Sequence, residues 1–503
     1  MLEIMFGSLA GMLSSPSLLG LMMIAVVCGI VVGIMPGIGG KLSIAMAIPF
    51  VYGMDMIAGA VFLLTMHAVN GTSGQISGIM FGIPGDGDDA ATTLDGHPLA
   101  KKGQAARALG ASITASGVGG VIGAAVFALM IPVLEPVVLQ FSPAEFFLIA
   151  MLGISFIAFL ASGHKIVKGL IVGFWGLMLA TIGMDPQTGT PRYAGDFLFL
   201  WDGVNLVTAV LALFAVPEMI ALGTKNSSIS NVSREAAAFS YRQLFQGMLE
   251  VPRHWWLVIR TSVIGSIIGI IPGLGGSAAA WFCYGHAVQT SKTPERFGKG
   301  AIEGVIAPET ASNAKEGGSL LPTLFFGIPG SSGMAVLLGA FLILGIQPGA
   351  AMMTDHLDVV WYLIWALVVG NLMAVTLLLV GCRWVGVLTF VNGRYLVPFI
   401  LVFISLGCYL AGFRWENLIV LVLLSLVGYG FLRAGWPRSP FVIGLVLGGT
   451  AEGSLNQALQ LWGFSFFLRP ISLVLITMIV GLMAYAIYRN TGSRRAQQPE
   501  FGS

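Results

Sequence analysis

The stretch Gly33-Ile34-Met35-Pro36-Gly37-Ile38-Gly39-Gly40 decides the fold, because it returns almost unchanged as Gly269-Ile270-Ile271-Pro272-Gly273-Leu274-Gly275-Gly276. A second motif also occurs twice, as Phe81-Gly82-Ile83-Pro84-Gly85 and as Phe326-Gly327-Ile328-Pro329-Gly330. The first motif recurs after 236 positions (36 to 272) and the second after 245 (84 to 329). These similar offsets indicate one ancestral unit that was copied once, with a small insertion expected within residues 292–300 of the second half.

The composition predicts an all-α polytopic membrane protein. Of the 503 residues, 56% are hydrophobic and 10% are charged, and the mean hydropathy is +0.88. A soluble protein carries about 25% charged residues. Several apolar runs approach the length of about 20 residues that crosses a bilayer as a helix, and we count about 12 spans. The net charge of +2 does not indicate a nucleic-acid partner.

The longest polar stretch divides the chain. We predict a first membrane repeat over residues 1–223, a polar cytoplasmic connector over 224–254 and a second membrane repeat over 255–488. Residues 489–503 would form a basic, disordered cytoplasmic tail. Basic residues in the connector and the tail favour the cytoplasmic side. The span count leaves open whether the repeats are parallel or inverted.

Paired Gly/Pro interruptions of apolar helices are the sequence signal for a transporter's central binding site. The predicted helix breaks are Pro36, Gly37 and Gly39 in the first half, and Pro272, Gly273 and Gly275 in the second. Beside the second motif, the apolar arms 76–83 and 319–328 are too short to span a bilayer. We therefore expect re-entrant hairpins, which survive at membrane depth only where protein or a wet cavity surrounds them.

Small polar residues next to these arms predict a site for a small carboxylate, moved alone or together with a cation. Backbone N–H groups at a helix start favour an anion, and hydroxyl and amide groups add hydrogen bonds. The same oxygens can coordinate sodium, which is the one candidate ion; no other cofactor is expected. Residues 70–74 and 312–314 would bound the cavity, and the two Pro-Gly pairs would form hairpin tips or half-helix starts. The predicted substrate and ion site comprises Asn70, Gly71, Thr72, Ser73, Gly74, Pro84, Gly85, Asp86, Glu309, Ser312, Asn313, Pro329, Gly330, Ser331 and Ser332.

The remaining charged residues have simpler interpretations. Glu309 and Asp86 lie beside apolar arms, where a charge is costly and often functional. We interpret Asp88, Asp89, Lys315 and Glu316 as including solvated loop charges, and His67 as hydrogen-bonded between helices rather than relaying protons. There is no nucleophile elbow, P-loop, dinucleotide fingerprint or metal-type Cys/His spacing, so neither an enzyme nor a metal site is predicted.

Through these motifs the sequence resembles the large membrane subunit of tripartite tricarboxylate transporters, the TctA family, over roughly residues 18–487. The most specific stretches are Pro36-Gly37-Ile38-Gly39-Gly40, Thr92-x-x-Asp95-Gly96-x-Pro98-Leu99-Ala100, Pro308-Glu309-x-Ala311-x-Asn313-Ala314 and Gly327-Ile328-Pro329-Gly330-Ser331. The closing stretch Gly345-Ile346-Gln347-Pro348-Gly349 also fits this pattern.

The resemblance implies a multi-pass permease of the bacterial inner membrane that works with a small membrane subunit and a periplasmic solute-binding protein. It implies secondary transport of carboxylates such as citrate, driven by a sodium or proton gradient. It also suggests a relation to elevator-type carriers, which have two inverted repeats with re-entrant hairpins and, by analogy, form homodimers. The alternatives are the membrane subunit of a TRAP-type carboxylate transporter and a membrane-embedded enzyme.

Overall fold

The computed structural model describes residues 1–34, 39–82, 84–160, 165–185, 188–224, 240–272, 274–388, 393–410 and 413–495. Over these residues the chain is almost entirely helical. The helices of the first half are α1 (Leu2–Ser14), α2 (Pro16–Ile34), α3 (Gly39–Val51), α4 (Met56–Phe81), α5 (Ala90–Lys101), α6 (Ala105–Val138), α7 (Pro143–Leu160), α8 (Lys165–Ala180), α9 (Leu206–Val210) and α10 (Val216–Thr224). Between α8 and α9, β1 (Gly183–Met184) pairs antiparallel with β2 (Pro191–Arg192).

The second half continues with helices only. They are α11 (Tyr241–Arg253), α12 (Trp255–Ile270), α13 (Gly275–Thr290), α14 (Glu303–Phe326), α15 (Ser332–Ile343), α16 (Ala351–Thr354), α17 (Leu357–Leu388), α18 (Gly393–Leu410), α19 (Glu416–Arg433), α20 (Ser439–Trp462) and α21 (Pro470–Arg495). A π-helical turn joins α9 to α10, and short 3₁₀ turns occur at Gly87–Asp89, Leu198–Leu200, Pro294–Arg296 and Gly463–Leu468.

Several of these helices have the length and the apolar composition to cross a membrane. Within the described ranges five are long and apolar enough, namely α2, α4, α6, α19 and the Leu357–Gly381 part of α17. A sixth span is counted if the bent pair of α20 and α21 is one span, and seven shorter apolar helices have 10–17 residues. The all-α, multi-pass class is therefore confirmed, whereas the figure of about 12 spans stays a prediction.

Helices α4 and α14 are continuous, although the sequence predicts separate short arms within them. α4 has 26 residues and α14 has 24. Residues 76–81 and 319–326 of the predicted arms are the last turns of these helices, so the prediction of separate arms is wrong, whereas the re-entrant hairpins stay a prediction. Small polar residues continue a helix when their hydroxyls bond back to the preceding turn. The Ser73 hydroxyl does so, donating to the carbonyl of Val69 at 3.1 Å.

Both helices end at the first glycine of the second motif. Gly82 has φ +74° and Gly327 has φ +67°, which is the left-handed conformation that glycine adopts without steric cost. The chain then turns back along the helix that it has just left. The reversal thus falls two residues before Pro84 and Pro329, and the Pro-Gly pairs lie on the return segments rather than at the tips.

The first return segment lies against α4 and against the end of α2. The N–H of Gly85 donates to the carbonyl of Gly74 in α4 at 3.3 Å. A methyl group added to Gly85 would lie 2.9 Å from the carbonyl oxygen of Gly33 in α2. The second return segment makes the matching contacts, because a methyl group on Gly330 would lie 2.7 Å from the carbonyl oxygen of Gly269 in α12.

The order of elements around the two return segments is the same. We call α2–α6 the first helix set and α12–α17 the second helix set. In each set a helix ends at the Pro-Gly motif, a second helix leads away, and a long buried helix returns to the glycine reversal. The connection before that buried helix is longer in the second set (residues 291–302) than in the first (52–55), which agrees with the predicted place of the insertion.

Glycines bring the backbones of α2 and α4 together. A methyl group on Gly29 would lie 2.8 Å from the carbonyl oxygen of Met66, and one on Gly33 would lie 2.9 Å from that of Asn70. Because both contacts advance along the two helices together, α2 and α4 run parallel. In the second set, a methyl group on Gly265 would lie 2.6 Å from the carbonyl oxygen of Ala311 in the same way.

The long helices α4 and α14 meet at the centre of the molecule and run antiparallel. His67 lies beside Glu316, whereas Thr72, further along α4, lies beside Asn313, which comes earlier in α14. Helices α6 and α17 pack against this pair. Equivalent helices of the two sets therefore point in opposite directions through the molecule.

The other helices form the surroundings of this centre. α7, α8, α20 and α21 pack on one another, and Arg192 of the hairpin binds Glu452 of α20 through two N–H groups, at 2.5 and 2.9 Å. The predicted connector contributes α11, which packs on α6, and Arg107 binds Glu250 at 2.5 Å. Residues 225–239 of the connector and 496–503 of the tail lie outside the described residues, and the division into domains stays a prediction.

Candidate functional site

Four helices contribute to a buried polar cluster at the crossing of α4 and α14. The side-chain nitrogen of Asn313 lies 2.7 Å from Asn371 Oδ1, 3.1 Å from Thr72 Oγ1 and 2.9 Å from the carbonyl oxygen of Ser116. The Ser116 hydroxyl donates to Thr72 Oγ1 at 3.3 Å. These four residues, which we call the polar cluster, join α14, α17, α4 and α6, and all of them are buried.

An amide carries two N–H donors, so the Asn313 nitrogen cannot satisfy all of these acceptors at once. Its carbonyl oxygen Oδ1 has no hydrogen-bond partner among the described residues. Nearby, the side-chain nitrogen of Asn70 also lacks one. Buried polar groups are nearly always paired, and the exceptions mark strain or a place where a ligand binds. The cluster therefore has spare capacity to bind a polar solute or ion.

The sequence predicts half of this cluster. Thr72 and Asn313 are predicted site residues, and the structure brings them together from opposite halves of the chain. Ser116 and Asn371 are missing from the prediction. Asn371 had a usable signal, because it is an isolated polar residue in the apolar run 360–380, whereas Ser116 lies in a stretch rich in small residues that shows no such contrast.

A chain of charged side chains crosses the same two helices. Lys315 Nζ lies 2.7 Å from Glu316 Oε1 and 3.5 Å from Asp88 Oδ2. Glu316 Oε2 lies 3.3 Å from His67 Nε2, but without the angle of a hydrogen bond. The Lys315 and Glu316 side chains are 3% and 7% exposed, so their interpretation as solvated loop charges is wrong. They lie inside α14, where ion pairing offsets the cost of burial.

Asp88 and Asp89 differ in their surroundings. The Asp88 side chain is 25% exposed and accepts a hydrogen bond from the Ser277 hydroxyl at 2.7 Å. Asp89 is only 2% exposed, so the prediction of a solvated charge fails for it. Asp89 faces Glu309, whose Oε1 accepts the Thr92 hydroxyl at 2.5 Å. These carboxylates and this hydroxyl are the oxygen ligands that a small hard cation prefers.

The predicted half-helix starts are already capped. At the first, the Asp86 carboxylate accepts the N–H of Gly87 at 2.6 Å, and Asp89 accepts that of Asp86 at 2.9 Å. At the second, the Ser331 hydroxyl accepts the N–H of Met334 at 3.1 Å. These acidic caps belong to the 3₁₀ turn Gly87–Asp89 that leads into α5, so negative charge already lies at the first start and disfavours an anion there.

The remaining predicted residues surround this centre. Gly74 and Ser73 are buried in α4, Gly71 is half-buried there, and Ser312 is buried in α14. Pro84 and Ser332 are half-buried, whereas Pro329, Gly85 and Gly330 are buried. Of the predicted helix breaks, Pro272 lies in the turn after α12, and Gly275 and Gly39 begin α13 and α3. Pro36, Gly37 and Gly273 lie outside the described residues.

In the part of the chain that the structure describes, no group of three or more His, Cys, Asp or Glu side chains could hold a metal ion. The centre instead consists of hydroxyls, amides and compensated charges inside an apolar helical bundle. This combination defines a class, a multi-pass membrane protein with a buried polar centre between two similar helix sets.

Comparison with known proteins identifies the family. The sequence matches the Tripartite tricarboxylate transporter TctA family over residues 19–443. This chain belongs to that family of membrane transporters, the family that its motifs resemble.

Two relatives come from Agrobacterium vitis. An uncharacterized 52.8 kDa protein in the TAR-I ttuC' 3'region is 31% identical over 477 residues, covering 94% of this chain and 93% of the relative. An uncharacterized protein in the TAR-II ttuC' 3'region is 34% identical over 238 residues, covering 46% of this chain and 98% of the relative. No solved structure matches the chain.

Proposed function

We propose that this chain is the large permease subunit of a binding-protein-dependent secondary transporter that imports small di- or tricarboxylates, citrate among them. The observation that carries the proposal is the polar cluster, in which Asn313 and Thr72 come from opposite halves of the chain and meet inside an apolar bundle. Membership of the TctA family supports the transport class.

The transport path would pass between two inverted repeats. α4 and α14 occupy equivalent places in the two helix sets and run antiparallel, which supports an inverted rather than a parallel arrangement. A binding site at the interface of inverted repeats is the common plan of secondary transporters. Alternating access would then move one bundle against the other around the polar cluster, as in elevator-type carriers.

Membership of the family supports the proposed partners and location. A small membrane subunit would complete the permease, and a periplasmic solute-binding protein would deliver the carboxylate. The permease would reside in the bacterial inner membrane, where a sodium or proton gradient would supply the energy, and a homodimer is an option by analogy with elevator carriers. In this proposal the chain has no catalytic role of its own.

Uptake of a panel of labelled di- and tricarboxylates by cells tests the function. Cells with the intact system are compared with cells that lack only this chain, each with and without sodium. Loss of uptake of one acid would support the permease and identify its substrate. Uptake that does not depend on this chain for any acid in the panel would overturn the proposal.

The site has its own test within this assay. Asn313→Leu or Thr72→Leu would fill the polar cluster with apolar bulk, so uptake should be lost while the protein still inserts into the membrane. Membrane insertion is checked by the amount of chain recovered in detergent extracts. Normal uptake by both variants would show that the solute binds elsewhere.

A further inference from the structure

The Glu309 carboxylate is buried without a compensating cation. Glu309 is 1% exposed, and its Oε2 has no hydrogen-bond partner within the described ranges. Its other oxygen accepts one hydrogen bond, from the Thr92 hydroxyl. No Lys, Arg or His side chain of the described residues lies within 4 Å of it, since every ion pair found near the centre involves other acids. An isolated buried carboxylate costs several kcal/mol, so it requires a bound positive charge.

The charged groups that face Glu309 from the neighbouring elements are acidic. Asp89 and Asp88, from the turn before α5, both repel it. Asp86 in the same turn adds to the negative charge around Asp89. Lys315 is the basic residue on the same helix, but its ammonium group is bound to Glu316 and Asp88. The surroundings therefore increase the need for a cation at Glu309.

Asp89 is better suited than Glu309 to remain ionised. Its Oδ2 accepts the N–H of Asp86, and it precedes the first turn of α5, where the helix dipole favours a negative charge. Glu309 lies six residues after the start of α14, beyond its first turn, and has only a hydroxyl as donor. A single proton shared by this acidic pair would thus reside on Glu309.

The duplication of the chain shows that the fold does not require this acid. With the offset of 245 positions, Glu309 corresponds to Leu64, Asp89 to Met334 and Thr92 to Leu337. These three apolar residues are fully buried in the equivalent place of the other helix set. A buried position that holds a leucine in the first set holds a carboxylate in the second, which indicates a function for the charge.

We propose that Glu309 is the site at which this protein binds a proton, with Asp89 kept ionised beside it and Thr92 orienting the carboxyl group. Glu309 belongs to the second helix set, whereas Asp89 and Thr92 belong to the first. Protonation of Glu309 would therefore remove a repulsion between the two sets. Its role as the coupling site rests on the proposed transport function; the proton site itself does not.

Dicyclohexylcarbodiimide tests the proton site directly, because this apolar reagent adds to protonated carboxyl groups in apolar surroundings. The intact purified protein is treated between pH 6 and pH 9, and the modified residues are identified by mass spectrometry. Glu309 should be the main modified residue, and its modification should fall about tenfold per pH unit above the midpoint of its titration. No modification of Glu309 at pH 6 would overturn the proposal.

Two controls make this result specific. Glu316, on the same helix, should remain unmodified because Lys315 holds it ionised at 2.7 Å. Glu309→Gln should abolish the modification, whereas Glu303→Gln, which alters a partly exposed acid paired with Arg296, should leave it unchanged. Protection of Glu309 by sodium at constant pH would mean that the site binds sodium, which would overturn the assignment to a proton.

Transport measurements separate this inference from the proposed function. The wild type is reconstituted into liposomes together with its small membrane subunit. The solute-binding protein and the labelled acid that the uptake panel identifies are added outside, and an inwardly directed proton gradient is imposed. The gradient should stimulate wild-type uptake and Glu303→Gln uptake, and Glu309→Gln should lose that stimulation at least tenfold. Wild-type uptake that ignores the gradient would overturn the coupling role while the carboxylate permease stands. If no acid is taken up, the permease proposal fails and the carbodiimide result still decides the proton site.

Discussion

The two helix sets share a backbone arrangement but differ in chemistry. Gly82 and Gly327 reverse the chain in the same way, and Gly85 and Gly330 press the return segments onto equivalent carbonyls. The side chains that follow are acidic in the first set (Asp86, Asp88 and Asp89) but Ser331, Gly333 and Met334 in the second.

The long helices also differ, but here the second set carries the charged residues. α14 carries Glu309, Asn313, Lys315 and Glu316 where α4 carries Leu64, Ala68, Asn70 and Gly71. The acidic turn of the first set consequently meets the charged helix of the second. Both sets therefore share the close backbone contacts, whereas their polar residues differ and together form one asymmetric centre. The following predictions test this separation, beginning with the largest effect.

Lys315→Met should destabilise the protein most, by about 3–5 kcal/mol, because it leaves the buried Glu316 carboxylate without its partner. Thermal unfolding in detergent micelles measures this loss. The double variant Lys315→Asn/Glu316→Gly introduces the residues of the first set, Asn70 and Gly71, and should recover most of the stability. A double variant as unstable as Lys315→Met would show that the charges are needed by the fold.

Gly330→Val should have the second-largest effect, a loss of stability in the upper part of the range of about 1–3 kcal/mol. Its new side chain would meet the backbone of α12, which cannot move aside easily. Gly85→Val should behave alike if the two return segments are equivalent. Gly430→Val is the matched control, since nothing lies within 4 Å of a methyl group there. Unfolding temperatures that respond to only one of the two return-segment variants would break the equivalence.

Asn313→Ala should cost less stability, about 1–2 kcal/mol, because it removes the 2.7 Å donor of the Asn371 carbonyl oxygen and leaves it only the Thr72 hydroxyl at 3.3 Å. Alanine is also the equivalent residue of the first set, Ala68. Uptake of the labelled carboxylate should nevertheless be lost, since the polar cluster is asymmetric. Thr376→Val, on the exposed side of α17, serves as the control. Undiminished uptake by Asn313→Ala would contradict the placement of the site.

The smallest effect should come from Arg296→Ala, in the connection that is longer in the second set. Arg296 binds Glu303 at 2.6 Å, but the Arg296 side chain is half exposed. Exposed ion pairs contribute about 0–1 kcal/mol, and less at high salt. Unfolding temperatures at low and high salt measure the contribution of this ion pair. A loss comparable to that of Lys315→Met would show that this connection supports the core.

The site was only partly predictable from the sequence. Thr72 and Asn313 could be selected because small polar residues interrupt apolar runs near duplicated Pro-Gly motifs. Lys315 and Glu316 were misinterpreted because a local reading favours solvated loops for adjacent charges. Their burial follows from contacts with Asp88 and His67, which lie more than 200 positions away in the chain.

The sequence by itself determined the lipid environment, the repeated motifs and the family of this protein, because composition, motifs and their spacing are properties of the chain alone. Only the tertiary structure decided that α4 and α14 are continuous and antiparallel, that the return segments lie against equivalent helix ends, and which polar groups meet. The physical reason is that burial and ion pairing depend on distances between residues of different halves, and the order of residues along the chain does not specify those distances.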